Sequence, residues 1–216
     1  MRKKVWIFGD SYAQLEKTHR PSWPLYFEND PKYDVTNFAL GGTGPNYSLN
    51  LLKEQLQKNT EDVTVIFFIS AIWRLDLKFL EKGHQHILVH LDDELHDKKY
   101  KRYKAGIRFF LDHYVMEDSF RNVELDKVIG ILKLYSEYFE NMLVWPVFHE
   151  TDTNISNTNK FTLNKEMLFK VEPSPKDMKR YDKRVNHLST HNHDKLYKQL
   201  CNFVDNGTSI NMDEFT

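Results

Sequence analysis

The chain has 216 residues, 30 Lys and Arg against 31 Asp and Glu, a formal net charge of -1 and one cysteine, Cys201. That length suits a single domain with a full core. The balanced charge excludes the basic surplus of a nucleic-acid binder, and one cysteine excludes an internal disulfide framework and fits a reducing compartment. No apolar stretch approaches the ~20 residues of a membrane span, and the apolar run at the N-terminus is shorter than the ~7–15 residues of a secretion-signal core. The expectation is a soluble, cytoplasmic protein with no nucleic-acid or membrane partner.

Lys4–Phe8 (KVWIF) is a short β-rich run that stops on Gly9-Asp10-Ser11, a buried strand entering a turn. Ser22–Asn29 reads as a short helix and Tyr33–Ala39 as a second strand. Gly41-Gly42-Thr43-Gly44-Pro45 holds three of the eight glycines, which marks a loop where backbone approaches something closely. A helix from Asn46 or Tyr47 to Asn59 follows, with Leu49, Leu52 and Leu56 at helical spacing. Val63–Ile69 (VTVIFFI) is apolar throughout, as in a central parallel strand buried on both faces. Asn122–Glu140 places Val128, Ile131, Leu132, Tyr135 and Phe139 on one stripe, and Met142–Phe148 (MLVWPVF) is another buried strand. Asn192–Val204 is the last helix, and residues 206–216 form a polar tail expected to fray.

Strands alternating with helices predict an α/β fold, a three-layer sandwich around a parallel sheet of about five strands. Residues 1–205 form the domain. Residues 75–121, charged, aromatic and His-bearing, are too long for a plain loop and read as a helical or lid-like insertion. Ligands bind open α/β sheets at the carboxyl ends of the strands. Gly9–Ser11, Gly41–Pro45, Ser70–Arg74 and His149 all follow strands, so they converge on one rim.

These residues resemble the SGNH (GDSL-type) hydrolase family, in the divergent style of members found in tailed-phage genomes. The likeness rests on FGDSYA, NFALGGTG and NHLSTHNHDKL, spread over most of the chain. It implies a flavodoxin-like sheet, Ser11 as nucleophile, His187 as base, and the N–H groups of Ser11 and Gly42 as oxyanion donors. Gly42 stands five residues beyond Asn37, the family's spacing. The third block departs from the pattern: FISAIWRLD lacks the family's oxyanion asparagine, with Ile72 and Trp73 near its position. Three residues before His187 stands Arg184 rather than Asp, so the nearest upstream acid, Asp182, is the candidate to orient the imidazole.

Elementary chemistry supports the same assignment. A serine hydroxyl attacks only when a base takes its proton. A serine at a strand-to-helix turn has free N–H groups and a positive helix end beside it. A glycine opposite lets substrate lie against backbone. Asp10, Gly44, Asn46, Ser70, Trp73 and Arg74 are the candidate substrate-binding residues, Arg74 either for an anionic group or for the carbonyls of its own strand. His187, His191 and His193 are spaced as a metal site or as one cleft histidine with packing neighbours; no Cys or carboxylate pair accompanies them, and no metal or other cofactor is expected. His84, His86, His90 and His96 read as a solvated insertion, a lid, or less simply a metal site. The expected function is a serine esterase acting on a small acyl ester, such as an O-acyl group on a carbohydrate. The alternative is a catalytically decayed binding or accessory protein on the same fold.

Overall fold

The computed structural model describes residues 2–15, 22–58, 60–72, 74, 105, 106, 109, 113, 117–148, 150–166, 188 and 190–215. Five strands, β1 (Lys3–Phe8), β2 (Tyr33–Asn37), β3 (Val63–Ile69), β4 (Asn141–Pro146) and β5 (Phe161–Leu163), form one sheet in the order β2-β1-β3-β4-β5. Every pairing is parallel; Val5 sits between Val35 and Thr64, and Phe67 opposite Val144. The sheet is accompanied by the α-helices α1 (Trp23–Asn29), α2 (Pro45–Gln55), α3 (Asp118–Ser136) and α4 (Thr190–Asn206), with a 3-10 turn at Met212–Glu214.

Alternation along each strand divides the core in two. Val5, Ile7, Ile66, Phe68, Leu143 and Trp145 face one side, where Trp23 and Phe27 of α1 and Leu196, Leu200 and Phe203 of α4 cover them. Trp6, Phe8, Val65, Phe67, Met142 and Val144 face the other, under Leu49 and Leu52 of α2 and Leu125, Val128, Ile129 and Leu132 of α3. A strand covered on both faces needs no polar positions, which is why VTVIFFI is buried along its whole length. The result is the expected three-layer α/β/α sandwich.

The local signals account for most boundaries. Ser22, in extended conformation, precedes α1, and Pro24 falls in its first turn, where a missing N–H costs nothing. Pro45 opens α2 for the same reason, one residue before the expected start. Pro146 closes β4 two residues past the last pairing with β5, Val144 with Leu163, while the next N–H, that of Val147, still donates to Ile69 O at 2.9 Å. α3 begins four residues before Asn122 and ends at Ser136, so its buried stripe runs through Leu125 and Ile129, while Ile131 and Tyr135 pack only partly.

Two elements depart from expectation. β5 is three residues long, too short for a periodic signal, and is held as an edge strand by pairing of Met142 with Phe161 and of Val144 with Leu163. The C-terminal residues fold back where a frayed end was expected. Asn211 N–H donates to Gln199 Oε1 at 2.6 Å, Gln199 Nε2 donates to Asn211 O at 2.9 Å, and Phe215 meets Trp145 edge to face at 6.4 Å. Among the described residues, no helix is long and apolar enough to cross a membrane.

Candidate active site

The strand order 2-1-3 reverses direction at β1, so the crevice between the carboxyl ends of β1 and β3 is the topological switch point. β1 delivers Gly9, Asp10 and Ser11 there. Gly9 has φ +148°, and a Cβ on it would stand 3.0 Å from Phe68 Cβ, so the turn leaves the strand only through glycine. Asp10 is completely buried and organises the turn. Its Oδ1 accepts the Tyr12 N–H at 3.1 Å, and its carbonyl accepts those of Ala13 and Gln14 at 3.0 and 2.9 Å. Among the described residues, the Ser11 N–H is left without an acceptor, and Ser11 itself is half-buried at the rim.

The glycine-rich loop after β2 lies against this turn. A Cβ on Gly41 would stand 3.4 Å from Ser11 Cβ. Gln14 Oε1 accepts the Gly41 N–H at 2.9 Å, and Leu40 O accepts that of Thr43 at 3.3 Å. Gly42, at φ +83°, has no acceptor for its N–H among the described residues; nor has Gly44, two residues on, which caps the start of α2. Asn37 ties the loop's approach to the serine turn: its Nδ2 donates to Ala13 O, and its Oδ1 accepts the Ala39 N–H, both at 2.8 Å. Two backbone donors from two different loops thus remain uncommitted beside one serine.

The end of β3 locks both loops. Ser70 Oγ donates to Thr43 O at 2.9 Å. Arg74, with its side chain 10% exposed, places Nη1 on Asp10 Oδ2 in a buried ion pair, and the same nitrogen is 3.5 Å from Thr43 O. Gly44 packs on the Arg74 main chain so closely that a Cβ would lie 2.1 Å from the Arg74 carbonyl oxygen. Phe148 lies under the guanidinium at 5.5 Å and meets Tyr12 edge to face at 5.5 Å. Burial pushes the Asp10 carboxyl above the usual carboxylate range, against the pull of Arg74 and the Tyr12 N–H.

The predicted site residues therefore divide. Asp10, Ser11, Gly42, Gly44, Ser70 and Arg74 come together at the rim, while Asn46 is exposed in the first turn of α2. Asp10 and Ser70 are buried and bonded to protein groups, which makes them supports of the rim rather than surfaces facing a ligand. Trp73, His149, Asp182, Arg184 and His187 lie outside the described residues, as do His84, His86, His90 and His96. His193 Nδ1 accepts the Trp23 N–H at 3.3 Å, so this histidine serves the start of α1. Among the described residues, no group of three or more His, Cys, Asp or Glu is placed to hold a metal. Gln14 and Thr43 escaped the sequence reading. Thr43 stands in the glycine-rich block but was not singled out, Gln14 lies outside any motif, and the parts of both depend on contacts between loops.

No protein-family model matches the chain, and no curated protein matches it. Among solved structures, a lipase/acylhydrolase from Enterococcus faecalis is 13% identical and aligns over 95% of this chain and 96% of its own, with a TM-score of 0.44. The Bacillus subtilis protein YxiM is 11% identical over 73% of this chain, with a TM-score of 0.36, and the match spans only 36% of its length. A catalytic mutant of Axe2, an acetylxylan esterase from Geobacillus stearothermophilus, is 13% identical over 68% of this chain and 61% of its own, with a TM-score of 0.31. At these identities and scores the likenesses carry nothing about the chemistry of the rim.

Proposed function

We propose that the chain is an SGNH-type serine hydrolase of small acyl esters. The observation that carries this reading is the pair of uncommitted N–H groups, on Ser11 and Gly42, beside the half-buried Ser11 hydroxyl at the switch point. Ser11 Oγ attacks the acyl carbon and its proton passes to His187. Negative charge gathers on the former carbonyl oxygen, which the two N–H groups stabilise; one such donor is worth about 10²–10³ in rate. The tetrahedral species collapses, the alcohol leaves with the proton held by His187, and water releases the acyl group by the same route in reverse order. Asp182 orients the imidazole by accepting from the nitrogen that faces away from Ser11. Asn46, exposed in the first turn of α2, is the candidate to meet the acyl or alcohol side. The alcohol is a carbohydrate hydroxyl or a similar small group.

The test is labelling with a fluorophosphonate, which reacts only with an activated serine, together with hydrolysis of short-chain aryl esters. Labelling and turnover should both vanish in Ser11→Ala. Equal rates in the two proteins would rule the reading out. A panel of O-acetylated sugars then examines the carbohydrate assignment separately.

One observation favours a second reading, a binding protein on a decayed site. Ser70 and Arg74 hang from the end of β3, where the family's side-chain amide would stand, and both are bonded to protein groups. An unlabelled but well-folded wild type would select it.

A further inference from the structure

We propose that Arg74 is a positioning residue that holds the two oxyanion donors in register and cancels the charge of Asp10 beside them; this rests on the hydrolase reading above. The two donors belong to separate loops. Asp10 immediately precedes Ser11, and Thr43 immediately follows Gly42. One guanidinium nitrogen, Nη1, is bonded to Asp10 and reaches the Thr43 carbonyl oxygen at 3.5 Å. The Thr43 carbonyl is also held at 2.9 Å by Ser70, from the same strand end. The main chain of Arg74 is pressed against Gly44, so a single residue meets the glycine loop through both its side chain and its backbone.

The electrostatics make the residue more than a strut. Asp10 is completely buried one residue before the nucleophile. An uncompensated carboxylate there would oppose the negative charge that develops on the substrate oxygen, and in a dry site that opposition is strong. Arg74 neutralises it without presenting a full charge to the cleft, since its side chain is 10% exposed and paired. The sequence left two partners open for Arg74, an anionic substrate group or strand carbonyls. The geometry points instead to an internal carboxylate, with a loop carbonyl beside it.

The experiment compares wild type, Arg74→Met, Arg74→Lys, Asp10→Asn and the Asp10→Asn/Arg74→Met double variant, each checked for native circular dichroism. Fluorophosphonate labelling rates are measured, together with kcat and KM on a neutral and an anionic aryl ester. Arg74→Met should lower kcat about 10²-fold on both esters with KM unchanged, the scale of one lost oxyanion donor. At a pH above the elevated value at which Asp10 ionises in Arg74→Met, the neutral double variant should recover at least about tenfold of that loss, because the buried charge is gone. Arg74→Lys keeps the charge but not the planar fork, and should fall between wild type and Arg74→Met. A rise in KM confined to the anionic ester would overturn the proposal in favour of substrate binding. A double variant no faster than Arg74→Met would overturn it too, leaving Arg74 as packing. If Arg74→Met does not fold, the double variant and Arg74→Lys decide on the same criteria. Failure of wild type to label overturns the hydrolase reading and this role together, whereas labelled wild type with unaffected variants overturns this role alone.

Discussion

The two ends of β1 carry the same chemistry in opposite settings. At its start, Lys4 pairs with Asp62 at 2.7 Å, with the two side chains 42% and 52% exposed. Just beyond its end, Asp10 pairs with Arg74, with the side chains 0% and 10% exposed. The exposed pair gains little because water competes for both ions and both side chains lose freedom; the ordinary value is about 0–1 kcal/mol. The buried pair must offset the desolvation of two charges, so it is weak evidence for stability as a unit yet costly to break. The lesson is that one kind of contact serves two ends: at the amino end it decorates a strand, and at the carboxyl rim it dictates where loops sit.

The largest expected effect comes from breaking the buried pair on one side only. Arg74→Met should destabilise the fold by about 3–5 kcal/mol, and Asp10→Asn/Arg74→Met should regain much of it. The loss should also depend on pH. Without its counter-charge, the buried carboxyl of Asp10 holds its proton still more tightly folded than unfolded. Stability of the variant is then greatest below the ordinary Asp value of about 3.9 and falls as pH rises through the elevated folded-state value. Urea midpoints at several pH values check this, and a pH-independent difference from wild type would contradict it.

The next effect concerns the backbone of the same rim. Gly44→Ala drives a Cβ into the Arg74 carbonyl and should cost about 2–3 kcal/mol, because neither main chain can yield easily. Gly41→Ala displaces the far end of the Gln14 side chain, with Ser11 Cβ in ordinary contact at 3.4 Å, and should cost about 1 kcal/mol, the scale of the Gly41–Gln14 hydrogen bond it disturbs. Similar melting temperatures for these two variants would undo the distinction. Ser70→Ala removes a buried hydrogen bond to a carbonyl that Arg74 still approaches, and should cost about 1 kcal/mol. The smallest effect belongs to the amino end: Lys4→Ala should change stability by about 0.5 kcal/mol or less. That difference should vanish in about 1 M salt, where screening acts within about 3 Å. A salt-independent loss above that size would erase the contrast between the two ends.

How much of this was legible in the sequence follows from the range over which each feature is specified. Val63–Ile69 is a strand to the residue because its apolar run is set by burial on both faces. The Gly9 turn and the Gly41–Pro45 loop were legible because glycine marks places where a Cβ does not fit. β5 was not, since three residues cannot show a period and its place depends on the edge that β4 offers. α3 slid by a turn because its first four residues, DSFR, carry one apolar side chain and so hide its start, while Phe139 continues the helical spacing past its end. The rim residues were read as converging, and the described ones do. The partner of Arg74 was not legible, because Asp10 stands 64 residues away and only the strand order brings the two together. His187, which rests on sequence resemblance, and Asp182, chosen as the nearest upstream acid where the family's aspartate position holds Arg184, both fall outside the described residues.

The strand order has a kinetic side. Val5 pairs with Val35 on one edge and with Thr64 on the other, so β1 can find neither neighbour through a tight hairpin. Parallel pairings of this kind close long loops before any contact rewards them, and they form slowly. Ser11 precedes in the chain most of the residues that shape its surroundings, which extend to Arg74. The rim around the serine turn is therefore complete only once the third strand has docked. The site is assembled by the sheet rather than carried by the peptide that names it.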